Sequence, residues 1–359
     1  MCKHQPLSCI IPPYMNLKLA NNEKFEKKLL AAHVSSFTLD AQIRGRRKAF
    51  TRLNPQSKEI VALAALKKPA KKVAVSREVY TAGNKQVQPG TLVRKEGQDV
   101  VKDKDVNNVY DAAGYTWDFY YSLFGRNSID NKGLKLIQTV HYGKKYDNAF
   151  WDGQQMIYGD GDGKIFDSFT LDVDIIGHEL THGVVQYETN LVYQDQSGAL
   201  NESLADIFGS MIKQRVLNQD AASADWLIGE NVLRGKQYAL RSLKAPGTAY
   251  KNHPDLGTDP QPAHMSGYTN DPFDNGGVHL NSGITNHAFY LACTEVGGYS
   301  WEKVGKVWYA AMCDKKGVQP TASFLDFKNA TLTHADKLFK SENTVSKAIK
   351  KAWDSVGVE

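Results

Sequence analysis

Across residues 73–163 the apolar positions come in short, β-branched or alternating runs closed by turn residues. "VSREVYTAG", "TLVRKEG" and "LKLIQTVHYG" read as strands. Between the second and third, "DVNNVYDAAGYTWDFYYSLFG" repeats its apolar residues at helical spacing, opens at an Asp/Asn cap and closes at Gly125. "WDGQQMIYGDGDG" returns to strand and then to a Gly/Asp turn. After residue 171 the period changes. Segments 172–188, 198–217, 281–296, 300–313, 321–340 and 343–354 read as helices, interrupted by a Gly-, Pro-, Asn- and Asp-rich loop over 242–280. The pattern predicts an α+β architecture: a β-rich half over 73–188 and a mainly α-helical half over 189–359.

Residues 1–72 have a different texture. "KFEKKLLAAHVSSFTL" has helical spacing, "RGRRKAF" is cationic, and the lysines around Pro69 read as an exposed linker, so a leader boundary is placed at residue 72. Charge sharpens the division. The leader holds 15 of the 44 Lys and Arg but only 4 of the 39 Asp and Glu, a net of +11, which leaves −6 for the rest of the chain. A nucleic-acid-binding domain should itself carry the basic face, so nucleic acid is not the expected partner. A basic leader lying on an acidic body fits better. No stretch approaches the roughly 20 apolar residues needed to span a bilayer, and residues 1–20 contain no ordinary secretory signal. The four cysteines do not form a disulfide framework; Cys293 and Cys313 are expected as buried free thiols rather than a bridge.

The chemistry concentrates in "DVDIIGHELTHGVVQYETN", residues 172–190. On a helix, His178 and His182 stand four apart and share one face, so two imidazoles can hold one zinc ion. Glu179 is rotated off that ligand line but stays near the ion, where a general base belongs. A catalytic zinc needs a third protein ligand. Glu202, in "SGALNESLADIFGSMIKQRV", lies 20 residues past His182, far enough for the chain to turn and run back past the ion. Asp206, one turn later, can accept the free ring N–H of a ligand histidine.

With "NESLAD" over 201–206, "DNGGVHLNSGITNHAFY" over 274–290, "NAFWDGQQMIYGDGDG" over 148–163 and "ALRSLKAPG" over 239–247, the chain over 73–359 resembles the thermolysin-like zinc metalloendopeptidases. The resemblance implies a two-domain zincin fold with the active site between the halves. It implies His178, His182 and Glu202 as zinc ligands, Glu179 as proton acceptor and donor, and His279 and Tyr193 as donors to the developing oxyanion, with Asp274 orienting His279. Asn148, the Ala149 carbonyl and Arg241 would bind the peptide main chain. Phe169, Ile175, Ile228, Val232 and Leu240 would line an apolar pocket favouring Leu, Ile, Val or Phe just after the cleaved bond. The other histidines (His4, His33, His141, His253, His264, His287 and His334) are read as structural or surface residues. Implied partners are peptide and protein substrates and the chain's own leader in cis, with a monomeric chain. Secretion is implied too, with release of a cytoplasmic precursor by a non-classical route as the alternative.

Two departures stand out. Asp174, Asp225 and Glu230 remain where relatives hold calcium, but Lys213 and Leu227 occupy carboxylate positions, so calcium binding should be weak or absent. The short leader, with "IIPPYMNL", resembles the protealysin-like branch. Pro12 and Pro13 should be stiff and extended, with Tyr14 beside them as an apolar plug, so that the leader lies in the cleft until self-cleavage around 50–73 releases it. An alternative latch is Cys2 or Cys9 as a further zinc ligand.

Overall fold

The structure is a computed structural model that describes residues 8–22, 25, 29–36, 38–39, 73–235 and 237–359. The cationic run, the linker lysines, Cys2 and the expected cleavage region up to residue 72 lie outside the described residues. The N-terminal part is built on a six-stranded mixed sheet in the order β1-β5-β6-β4-β2-β3. Its strands are β1 (Ser8–Cys9), β2 (Arg77–Thr81), β3 (Thr91–Lys95), β4 (Leu136–Val140), β5 (Ala149–Trp151) and β6 (Met156–Tyr158). β2 runs parallel to β4 and β4 to β6, while β5 is antiparallel to β6. β1 comes from the leader and pairs antiparallel with β5, Ser8 opposite Trp151 and Cys9 opposite Phe150.

The leader continues into helix α1 (Pro13–Ala20), and residues 29–36 are helical. Pro12 is extended (φ −63°, ψ 148°), but Pro13 is the first helical residue. This corrects the expectation of an extended Pro-Pro pair. Proline's missing N–H costs nothing at the first helical position, so the second proline starts a helix. Helix α2 (Lys104–Phe124) closes at Gly125 as predicted, but its cap is Asp103, two residues before the Asp105 that opens the predicted stretch. The Asp103 carboxylate accepts from the N–H groups of Asp105 and Val106, and Gly125 closes the helix at φ 67°.

Two long helices join the halves: α3 (Val173–Tyr187) and α4 (Asp195–Val216). α3 is buried continuously from Asp174 to Val185 because both of its faces are covered. On one side Gly183 lies against Ile129 and Trp151; on the other Gly177 lies against Ile212 and Gly209. A Cβ on Gly209 would come within 2.5 Å of the Asp174 carbonyl oxygen and 3.1 Å of the His178 nitrogen. These two glycines let the helix backbones approach closely, and that approach carries Glu202 to the histidines. A small pair, β7 (Leu227–Ile228) and β8 (Arg241–Ser242), follows. Helices α5 (Val278–Val296), α6 (Val304–Met312), α7 (Phe324–Leu338) and α8 (Asn343–Ser355) complete the C-terminal part. α4 and α5 each begin three residues before the periodicity suggests, which places His279 inside a helix rather than in the loop. Cys293 and Cys313 are both free; Cys293 is buried and Cys313 half-buried. Among the described residues no helix is long and apolar enough to cross a membrane.

Candidate metal centre and cleft

His178, Glu179 and His182 project from α3, and Glu202 and Asp206 from α4. All five are buried. The Nε2 atoms of His178 and His182 are 2.9 Å apart, and each is 3.5 Å from a Glu202 carboxylate oxygen. His178 Nδ1 is 2.8 Å from Asp206 Oδ1, and His182 Nδ1 is 2.8 Å from Asn201 Oδ1. If both Nδ1 atoms donate, both Nε2 lone pairs face one point beside a carboxylate. Glu202 Oε2, also buried, has no hydrogen-bond partner among the described residues. Lone pairs and a carboxylate converging in a dry interior repel unless a cation sits among them. Two imidazoles and one carboxylate are a catalytic zinc donor set, so these residues fit the ion. Burial, then the neighbouring imidazole of His178, hold His182 well below its ordinary pKa, which keeps it in the neutral, ligating form.

Glu179 Oε2 accepts the Trp151 N–H at 3.0 Å, and its Oε1 is buried without a hydrogen-bond partner among the described residues. Burial, reinforced by Glu202, pushes its carboxyl well above the usual range. On the other wall, Asn275, Gly276 and Gly277 adopt left-handed conformations in succession (φ 49°, 82° and 83°). That turn folds Asp274 back over the start of α5. Its Oδ2 accepts the His279 and Leu280 N–H groups, and its Oδ1 lies 2.5 Å from His279 Nδ1. Burial opposes a charged His279, but Glu202 and Asp274 push its pKa up to about 9. Tyr193, in the connector before α4, places its hydroxyl 3.1 Å from His279 Nε2 and donates it to Glu202.

Arg241, on β8, binds Asp206 through Nε and Nη2 at 2.8 Å each. No local pattern in the sequence joins these two residues. Asp206 also accepts from Asn286 at 2.9 Å. Despite burial, Arg241 and His178 hold the Asp206 carboxyl well below the usual carboxylate range. Neither Asn201 nor Asn286 was singled out from the sequence. Asn201 directly precedes Glu202, and its place on the helix was the available signal.

The leader main chain runs through the cleft along β5. Ile10 N–H donates to the Ala149 carbonyl at 3.1 Å, and Ile11 N–H to Asn148 Oδ1 at 2.9 Å. Asn148 Nδ2 lies 3.4 Å from the Ile11 carbonyl oxygen, and Arg241 Nη1 donates to the Ile10 carbonyl at 2.9 Å. The Cys9 carbonyl oxygen is 3.0 Å from His279 Nε2. The Cys9 thiol donates to the Ile11 carbonyl at 3.5 Å. Ile10 is fully buried in the same continuous apolar cluster as Phe169, Ile175, Ile228, Val232 and Leu240. Gly229 holds Leu240 and Ile175 in that wall; a Cβ there would lie 2.7 Å from Leu240 Cδ1.

Residues 43–186 match the family described as thermolysin metallopeptidase, catalytic domain, and residues 189–358 match its alpha-helical domain. The chain is 46% identical to an extracellular metalloprotease of Pectobacterium carotovorum subsp. carotovorum, over 99% of this chain and 98% of that protein. It is 38% identical to a thermolysin of Alicyclobacillus acidocaldarius subsp. acidocaldarius, over 78% of this chain and 50% of that one. Its fold superposes on the precursor of protealysin, a metalloproteinase from Serratia proteamaculans, with a TM-score of 0.85 and 44% identity, covering 98% of this chain and 100% of the other. With two family models spanning most of its length and a His-His-Glu group at the junction of the halves, the chain belongs to the zinc-dependent thermolysin metallopeptidase family and is a hydrolase of peptide bonds.

Proposed function

We propose that this chain is a zinc-dependent endopeptidase that cleaves on the N-terminal side of bulky hydrophobic residues (Leu, Ile, Val or Phe) and is made as a precursor that processes itself. Residues 1–72 form the leader, 73–188 the β-rich part ending in the metal helix, and 189–359 the helical part. The observation that carries the reading is the leader's own path. An extended peptide lies against β5 with its N–H groups on Ala149 and Asn148, one carbonyl on Arg241 and the preceding carbonyl on His279. The Cys9–Ile10 bond therefore has the position of a scissile bond, and buried Ile10 has that of the hydrophobic residue just after it.

When bound, the ion polarises the carbonyl and lowers the pKa of the attacking water. Glu179 accepts the water's proton and passes it to the leaving amine. His279 and the Tyr193 hydroxyl stabilise charge on the carbonyl oxygen, with Asp274 keeping His279 oriented and protonated. Arg241, Asn148 and Ala149 fix the main chain. Mass spectrometry of the purified full chain over time, with a peptide-mixture digest run with and without a zinc chelator, tests this. Cuts before hydrophobic residues and a new N-terminus around 50–73 are expected; no cuts, or cuts indifferent to the chelator, would refute it.

The leader is also the inhibitor, held by β1 pairing and by the turn at Pro12, Pro13 and Tyr14. The P12A/P13A/Y14A variant should show more activity than the parent before any cleavage, whereas C9S should not, because it keeps the Cys9 carbonyl that lies 3.0 Å from His279 Nε2. Equal activity of all three in a peptide assay would argue against this latch. Calcium should matter little. Lys213 Nζ lies 3.2 Å from Asp174 and 2.9 Å from Asp225, and it donates to the Leu227 carbonyl at 2.8 Å. An ammonium there neutralises the carboxylates a calcium ion would need. Chelating calcium while leaving zinc in place should not change the melting temperature; a clear drop in calorimetry would overturn this. The names of the relatives favour an extracellular place of action, and the protein is proposed to act as a monomer.

A further inference from the structure

Away from the cleft, three buried side chains meet at the seam between leader and body. His33 comes from the leader's helical residues 29–36, Asp147 immediately precedes Asn148, and Asp162 lies in the Gly/Asp turn after β6. His33 and Asp147 are fully buried and Asp162 is 5% exposed. His33 Nδ1 is 3.0 Å from Asp147 Oδ2, and His33 Nε2 is 3.6 Å from Asp162 Oδ2. The second gap is too long for a good hydrogen bond. Among the described residues, His33 Nε2, Asp162 Oδ2 and Asp147 Oδ1 have no hydrogen-bond partner. The gap nearly equals the 3.5 Å between the ring nitrogens and Glu202 in the catalytic group. Two ligands each about 2.0–2.2 Å from one ion in tetrahedral geometry stand about that far apart.

Charge points the same way. His33 is the one ion-pair partner of Asp147 and Asp162 among the described residues. Two buried carboxylates carry more negative charge than one imidazole can cancel, an arrangement a low-dielectric interior disfavours. A divalent cation cancels that charge. Asp162 is also pre-set to bind: its Oδ1 accepts the N–H groups of Lys164, Ile165 and Phe166 at 3.0, 2.8 and 2.9 Å, which leaves Oδ2 for another partner.

We propose that His33, Asp147 and Asp162 form a second divalent-cation site, suited to zinc, that staples the leader to the body. One ligand atom from each lies within 4.8 Å of the other two, and imidazole with carboxylates is a donor set that zinc accepts. Because His33 belongs to the leader, the site is complete only while the leader is docked. Its consequence for activation rests on the proposed release of the leader; the binding of the ion does not. Loss of His33 with the leader leaves two carboxylates and a much weaker site.

The test uses the full-length chain carrying Glu179→Ala, which blocks self-cleavage. After gel filtration from zinc-containing buffer, inductively coupled plasma mass spectrometry should find two zinc ions per chain. Adding His33→Ala, or the nearly isosteric Asp162→Asn, should bring the count to one, and the ion that remains reports that the body is folded. Adding His178→Ala with His182→Ala instead should leave one ion, held at the seam. A count of one before His33 is changed, as for an imidazolium simply bridging two carboxylates, would overturn the proposal. So would a count of two that neither His33→Ala nor Asp162→Asn lowers. Failure of the protease reading would show separately, as absent peptide hydrolysis by the unmutated chain.

Discussion

Glu179→Gln is expected to leave the full-length chain uncut and to lower peptide hydrolysis by about 10⁴-fold, the upper end of what a positioned acid–base group contributes. The substitution is nearly isosteric. The glutamine carbonyl can still accept the Trp151 N–H that Glu179 Oε2 accepts at 3.0 Å. The Glu179 side chain is buried, and its second oxygen has no hydrogen-bond partner among the described residues. The variant therefore loses the proton acceptor and little of the packing. Removing a carboxyl whose charge is disfavoured by burial and by Glu202 should leave the melting temperature equal to the parent's or higher. Zinc at His178, His182 and Glu202 should be retained. Hydrolysis assays after removal of the leader in trans, with metal content and melting curves beside them, check all three. A rate within tenfold of the parent's would remove Glu179 from the chemistry.

Arg241→Met should damage stability most. The Arg241 guanidinium is 1% exposed and lies against an Asp206 carboxylate that is fully buried. Deleting one partner of such a pair leaves an uncompensated interior charge, at a cost of about 3–5 kcal/mol. Asp206 also orients His178 through Nδ1, so metal affinity should fall by about 10–100-fold. KM should rise as well, because Arg241 Nη1 donates to the leader's Ile10 carbonyl, the place proposed for a substrate carbonyl. The pH dependence has a definite sign. Arg241 and His178 depress the Asp206 pKa in the folded state. The stability this contributes is fully present above the ordinary carboxylate pKa and is lost only as pH falls toward the depressed value. The gap between parent and variant should therefore be widest near pH 7 and should shrink below about pH 4. Urea unfolding at both pH values measures it, and equal stability at pH 7 would mean that Asp206 is satisfied by other partners.

Much of the catalytic constellation is local and so was readable. The i, i+4 spacing puts His178 and His182 on one helix face whatever surrounds them. Asp274 beside His279 was given by the resemblance alone; the structure supplies the cause, a left-handed turn over the Asn-Gly-Gly run that brings this carboxylate back to His279. The C-terminal end of α2 was legible because Gly125 acts on the adjacent backbone, whereas the cap, Asp103, lies just outside the stretch the periodicity marks. The Arg241–Asp206 contact joins residues 35 positions apart, and no local pattern encodes it. β1 and β5 escaped detection because strands of two and three residues carry almost no periodicity. Pro13 misled because proline favours both extended chain and the first turn of a helix.

His33 shows the boundary most clearly. By its sequence it is one histidine on a lysine-rich amphipathic stretch, indistinguishable from a surface residue. Folding inserts it between Asp147 and Asp162, more than 100 positions away. The sequence by itself determined the donor types, their helical spacing and the division into a β-rich and an α-rich half, because these depend on backbone geometry over a few residues. The tertiary structure alone decided which segment fills the cleft, which carboxylate Arg241 neutralises and which buried charges lack a partner. Those follow from packing and desolvation among groups that meet only after the chain has folded.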